Sequence, residues 1–383
     1  MDTTRRISLI LLSFCLVLVV ALVVFVNLSG GNDVEDKVVG KPLPLKHSTL
    51  LSMVECDGYT VVDVRNPWGD GLLKRYVLVP KENELPSDLP DGVLLRTPLD
   101  RVVLVSGVHV ALLEELGTEM AVAGVCDAQY VYSNMTRDGL ASGRVVDCGS
   151  SMDVDSERLV LANPEALFVL PYENCGYGKI ERLGIPLIEC ADYMEPSPLA
   201  CAEWIRFYGR LVGKGHEADS IFNKVAEEYC SLVEMTRGVE KRPKLLCELK
   251  SHSAWYVPGG RSTTGKLYQE AGGEYPFDNY PNSGAVPLSF ETVFDKAQDA
   301  DIWLMKYNQP TEKTLSSIRE DYSPYTQFKA FQNKHVYGCN TAYRPYYEDF
   351  PFHPDWVLKD LIKIFHPSLL PEHELKYFSK LAE

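Results

Sequence analysis

Two stretches of the chain, DSERLVLANPEALFVL from Asp155 to Leu170 and LSFETVFDKAQDADIWLM from Leu288 to Met305, carry one pattern of polar and apolar positions. Each sets a helix N-cap type, Asp155 or Ser289, two residues ahead of an acid, Glu157 or Glu291. An amphipathic turn or two comes next, then a small polar break and a short apolar run with the character of a buried strand. The two caps lie 134 positions apart. Around the first unit, RVVLVS, the helical GVHVALLEELG, MAVAGV and GRVVDCG alternate in the same way, and ERLGIPLIEC succeeds it. Around the second stand PKLLCEL, STTGKLYQEAGG, KHVYGC and the helix DWVLKDLIKIF. Short apolar strands separated by helices predict an α/β protein with mostly parallel sheets flanked by helices. Ahead of them, LLSMVECDGYTVVDVRNPW reads as a hairpin about Asp57-Gly58, continued by KRYVLVP.

Between the two alternations, Ser197–Val212 predicts one helix with Pro198 at its start. A longer helix comes after it. Ala218, Ile221, Phe222, Val225, Tyr229, Leu232 and Val233 form a stripe that closes at Gly238, over a length of about 33 Å. The expected organisation is therefore an α/β lobe over residues 49–214, one interlobe helix over 215–238 and a second α/β lobe over 239–383, with one copy of the helix–strand unit per lobe.

At the N-terminus, Arg5 and Arg6 precede 22 uncharged residues, Ile7 to Leu28. That run reaches about 33 Å as a helix, enough to cross hydrocarbon, and the arginines set its start on the inner side. Residues 1–29 read as a retained transmembrane anchor in preference to a cleaved signal or a lipoprotein cut before Cys15, and residues 30–48 as a linker. All three readings export the remainder of the chain to the periplasmic side of an inner membrane.

Fifty-three acids against 38 Lys and Arg give a net charge of -15, which argues against a nucleic-acid partner. Ten cysteines in an exported chain raise the question of disulfides, yet there is no C-x-x-C. Cys126, Cys175, Cys190 and Cys247 sit in or beside apolar runs, where cysteine serves as a small buried hydrophobe. Eight scattered histidines show no metal-ligand spacing, and no cofactor motif is present. The hydrolase, zincin and P-loop motifs are absent as well, so an anchored enzyme or a ligand-sensing ectodomain stands as a rival without a motif to carry it.

Ligands of open α/β sheets bind beyond the carboxyl ends of the strands. By that rule the candidates are Arg65 and Trp68, with Asn66, after VVDV; His109, with Ser106, after VVLV; Tyr130, with Tyr132, after MAVAGV; and Tyr172, with Glu173, after LFVL. In the second lobe they are Trp255, Tyr256 and Arg261 after LLCEL, Lys306 and Tyr307 after IWLM, and Tyr343 and Arg344 after HVYG. Aromatic residues beside arginine suit a large, flat or amphipathic ligand bearing carboxylates. The plainer readings are packing for the two tryptophans, a packed first-turn histidine for His109, and a loop anchor for Arg344.

YTVVDVRNPW, RLGIPLIECADYMEPSPLACAEWIRFYGRLVG, VPGGRSTTGKLYQEAGGEY and FHPDWVLKDLIKIFHPSLLP, in that order, resemble the substrate-binding proteins of ABC importers for ferric siderophores, haem and cobalamin. They look most like the Bacteroidetes-type branch, and the likeness runs from about Ser48 to Leu370. It implies two α/β lobes joined by one helix, no enzymatic activity, an iron chelate or corrinoid held in the interlobe cleft, and a permease dimer with its ATPase as partner. It also implies that Glu157 and Glu291, one per lobe, dock onto permease arginines. Haem or direct metal binding on the same fold is the alternative within this class.

Overall fold

The computed structural model describes residues 38–383. The apolar run Ile7–Leu28 lies outside the described residues, and among those described no helix is long and apolar enough to cross a membrane. The chain first builds a five-stranded sheet from β1 (Lys41–Leu43), β2 (Leu51–Glu55), β3 (Thr60–Arg65), β4 (Leu72–Pro80) and β5 (Val93–Thr97), in that spatial order. Gly58 takes φ of +80° in the β2–β3 turn, which a side chain would resist. Next come β6 (Val102–Leu104), α1 (Gly107–Glu115), β7 (Val122–Val125), α2 (Asn134–Ser142), β8 (Val146–Asp147), the small pair β9 (Gly149–Ser150) and β10 (Asp153–Val154), α3 (Ser156–Ala162), β11 (Ala166–Val169) and β12 (Leu187–Glu189). Strands β12, β11, β6, β7 and β8 form a parallel sheet in that order. Every residue of β6, β7 and β11 is buried, as expected of strands covered on both faces.

Two short helices come next, α4 (Pro198–Ala202) and α5 (Ile205–Leu211), and then the 23-residue α6 (Gly215–Arg237). The second half holds β13 (Leu245–Cys247), β14 (Lys250–Ser251), β15 (Ala254–Pro258), α7 (Thr263–Glu270), β16 (Ala285–Leu288), α8 (Phe290–Ala297), β17 (Ile302–Tyr307), α9 (Leu315–Asp321), α10 (Lys329–Gln332), β18 (Val336–Asn340), α11 (Tyr346–Asp349), α12 (Pro354–Phe365) and β19 (Ser379–Lys380). Strands β13, β17 and β18 run parallel, with β19 antiparallel at the edge, and β14, β15 and β16 form an antiparallel sheet.

The repeated pattern resolves into α3–β11 and α8–β17. Asp155 accepts from the Glu157 and Arg158 amides, and Ser289 accepts from the Thr292 amide. Each cap satisfies backbone donors that the first helical turn leaves free. There are two main apolar cores, and α6 belongs to both: Ala218 and Phe222 pack into the first, Val225, Tyr229 and Leu232 into the second. The two-lobed α/β class expected from the pattern is the one observed.

Two expectations need correction. Part of the expected linker is structured, because β1 pairs with β2. The amides of Lys46, His47 and Ser48 all donate to the buried Glu203 carboxylate, and those of Thr49 and Leu50 to Glu195. The single helix expected over Ser197–Val212 is instead α4 and α5. Backbone bonds between them tighten to three-residue steps, Trp204 N to Cys201 O and Phe207 N to Trp204 O.

Candidate functional site: the surfaces at the strand ends

The carboxyl ends of the first parallel sheet open onto two adjoining hollows. One, of about 320 Å³, is lined by Trp68, Tyr172, Glu173, Tyr177 and Glu189 among others. Trp68 reaches it from the β3–β4 turn, which is fixed by the Trp68 amide donating to Asn66 Oδ1 and the Asn66 amide donating to the Gly71 carbonyl. The other, of about 340 Å³, shares Tyr172, Cys175 and Tyr177 and adds the apolar side chains of Met152, Leu170 and Ile180. Met152, Leu170 and Tyr172 are all exposed here, which is a large apolar display for one set of strand ends.

A third hollow, of about 530 Å³, lies at the strand ends of the second half, lined by Lys250, Tyr256, Lys306, Tyr347 and the hydroxyl-bearing Ser262, Thr263 and Thr264 at the start of α7. Lys306 is paired there with Glu248. Burial works against its charge, but Glu248 together with Tyr268, Tyr346 and Tyr347 outweighs burial and holds the ammonium well above the usual lysine range.

The two halves touch between these surfaces. Tyr132 donates to the Thr341 carbonyl, and Glu348 faces Gly107 at the start of α1, close enough that a side chain at Gly107 would meet it. Burial lifts the Glu348 carboxyl to about 7. Phe352, from the second half, is buried in the first core against His109 and Tyr208. His353 Nε2 lies 2.8 and 2.9 Å from the Glu115 carboxylate oxygens.

A family model for periplasmic binding proteins matches residues 102–343. The chain belongs to that family. An uncharacterised lipoprotein of Methanocaldococcus jannaschii is 27% identical over 332 residues, 81% of this chain and 77% of the relative. Among solved structures, the TroA-like periplasmic binding protein FepB from Veillonella parvula aligns with a TM-score of 0.57 at 18% identity, over 75% of this chain and 96% of that one. A periplasmic heme binding protein from Pseudomonas aeruginosa aligns with a TM-score of 0.57 at 13% identity, over 74% and 99%. The fold of this periplasmic binding protein is the TroA-like one, and family and fold are those of substrate-binding proteins, not enzymes. An extracytoplasmic location accords with the family. The Bacteroidetes-type branch gains no support from these matches.

The structure sorts the residues expected at the cleft of this periplasmic binding protein. Trp68 and Tyr172 come together in the first hollow, and Tyr256 lines the third. Tyr130 is exposed beside Gly107. Arg65 and Arg261 are exposed next to hollow-lining neighbours but outside the linings themselves. Tyr343 is exposed with its hydroxyl donating to the Pro310 carbonyl, and Arg344 is paired with Glu312 at 3.1 Å.

Two candidates do not reach the surface. Trp255 is fully buried and donates through Nε1 to the Cys247 carbonyl. Neighbours alternate faces along a strand, so β15 turns Trp255 inward and Tyr256 outward. His109 is buried too, its ring against Phe168 and Tyr208 and its Nε2 3.8 Å from Asp192. Sequence reasoning missed Tyr177, Glu189, Ser262, Thr263, Thr264 and Tyr347. An acid closing the strand LIE was the available signal for Glu189. The nine cysteines among the described residues are all free.

Glu157 and Glu291 are exposed in the first turns of α3 and α8. The Glu291 carboxyl is held below its usual range by its own backbone amide and by Ser289.

Proposed function

We propose that this protein is the extracytoplasmic ligand-capturing component of an ABC importer, and that it takes a ferric siderophore or corrinoid-type chelate between its two sets of strand ends. The observation that carries this reading is the pairing of aromatic-walled hollows, Trp68 and Tyr172 on one side and Tyr256 and Tyr347 on the other, at the carboxyl ends of both halves. Such walls suit a large ligand with apolar faces. Among the described residues no three His, Cys, Asp or Glu side chains gather to hold a metal, so the proposed ligand brings its metal already chelated.

Two candidate cations near the strand ends are already engaged, Lys306 by Glu248 and Arg344 by Glu312. That favours a chelate without free carboxylates over haem with its two propionates. The loaded protein is proposed to dock onto a permease dimer, driven by its ATPase, through Glu157 and Glu291. Exposed Val160 and Leu161 beside Glu157 give that end of α3 an apolar component suited to a protein partner. The test is unfolding stability with a ferric trihydroxamate, cobalamin and haemin in turn. A ligand at 100 times its Kd adds about 2.7 kcal/mol. Stabilisation by a chelate is expected, and no stabilisation by any of the three would reject the reading.

A further inference from the structure

The hollow beneath Trp68 contains a carboxylate that the fold has buried without a counter-charge. Glu189 closes β12 and is only 6% exposed. Its backbone is fixed, since its amide donates to the Tyr76 hydroxyl, which donates in turn to the Leu187 carbonyl. Tyr177 donates to Glu189 Oε2 at 2.5 Å. Among the described residues no cation forms an ion pair with Glu189, and no lysine or arginine lines the hollow, whereas a second acid, Glu173, does. Burial accordingly raises the Glu189 carboxyl above its usual range, with the Tyr177 hydrogen bond and the more distant Lys74 only partly opposing it.

A buried carboxylate with one tyrosine hydrogen bond and no ion pair is still costly, and a cation entering beside it would recover part of that cost. The walls of the same space are aromatic: Trp68, Tyr172 and Tyr177. Ring faces attract a desolvated cation, tryptophan most strongly. Carboxylate, aromatic walls and a volume of about 320 Å³ together describe a receptor for a compact organic cation. The contrast with the third hollow is direct, because Lys306 there already has its acid.

We propose that the hollow formed by Trp68, Tyr172, Tyr177, Glu173 and Glu189 is a subsite for an alkylammonium group, primary or quaternary, carried by the ligand. This deepens the chelate-binding reading by naming a chemical feature of the ligand, but its test does not require the chelate. Full-length protein is titrated at constant ionic strength with tetramethylammonium chloride, butylammonium chloride and the neutral isostere tert-butanol, tracking tryptophan emission and thermal stability. Saturable millimolar binding of one or both cations is expected, with none for tert-butanol. The emission change should vanish in Trp68→Leu, and affinity should fall at least tenfold in Glu189→Gln. If Glu189→Gln fails to fold, Trp68→Leu read by thermal shift gives the same decision. A response equal for tert-butanol, or unaltered by these substitutions, overturns the subsite. Should chelates stabilise the protein while ammonium ions do not bind, only the subsite falls. Should ammonium ions bind and no chelate stabilise, the chelate reading falls instead.

Discussion

His353 shows how much one side chain contributes where the two halves meet. Its ring stacks on Trp356 at 3.6 Å, its Nε2 contacts Glu115, and its Nδ1 is 3.6 Å from Asp355, an ion-pair separation longer than a hydrogen bond. Burial alone would lower its basicity, but Asp355 and Glu115 outweigh burial and raise it from 6.5 to about 9. The folded value exceeds the unfolded one, so this stabilisation is complete below pH 6.5 and is lost as pH rises through 9. His353→Gln is expected to cost on the order of 2 kcal/mol near pH 6 and little near pH 10. Urea unfolding across that range checks it, and a cost independent of pH would show that packing dominates instead. Neighbours on β15 supply a second contrast. Trp255→Ala should destabilise by about 3–5 kcal/mol, whereas Tyr256→Ala should leave stability nearly unchanged and weaken ligand binding. The residue pattern could not separate these two, because both aromatics lie on the same strand and only the register of β15 decides which one faces the core.

At the level of elements, the repeated helix–strand unit and α6 were legible because each carries its own periodicity and its own start or stop signal. Asp155 and Ser289 act as caps, and replacing either with alanine should cost about 1 kcal/mol. Changing Glu157 or Glu291 to alanine should cost less, since both are exposed. What could not be read locally was the structure of residues 41–50. Their order depends on Glu195 and Glu203, about 150 positions away, whose carboxylates gather the backbone amides of residues 46–50. Glu203→Ala leaves three of those amides without their acceptor, at about 1–3 kcal/mol for each one that water cannot reach. The N-terminal strand should then become open to proteolysis while the rest of the fold persists. Limited digestion with mass mapping of the fragments checks this, and cleavage spread evenly along the chain would contradict it.

For the whole molecule, one long helix running through both cores and the burial of Phe352 across the junction limit how far the halves can swing apart. Closure on a ligand is therefore expected to be small. The site was half legible on the same grounds: strand-end position pointed to Trp68, Tyr172 and Tyr256, while the hydroxyl groups at the start of α7 and the buried Glu189 needed the fold to bring them to a hollow. Delivery is a separate property from capture. A rim pair of glutamates sets orientation and association rate more than affinity, and its effect weakens with salt. If the proposed docking holds, Glu157→Ala with Glu291→Ala should sharply reduce uptake through the permease and leave ligand affinity intact. Normal uptake in the double variant, or uptake lost only with affinity, would remove both residues from docking. Capture itself is tested most directly by calorimetric titration of the stabilising chelate into the native protein and into Tyr172→Ala, Tyr256→Ala and the double variant. Stoichiometric binding is expected, with affinity falling at least tenfold in each single variant and further in the double. Unchanged affinity in the double variant, with the fold intact, would contradict a ligand held between the two sets of strand ends.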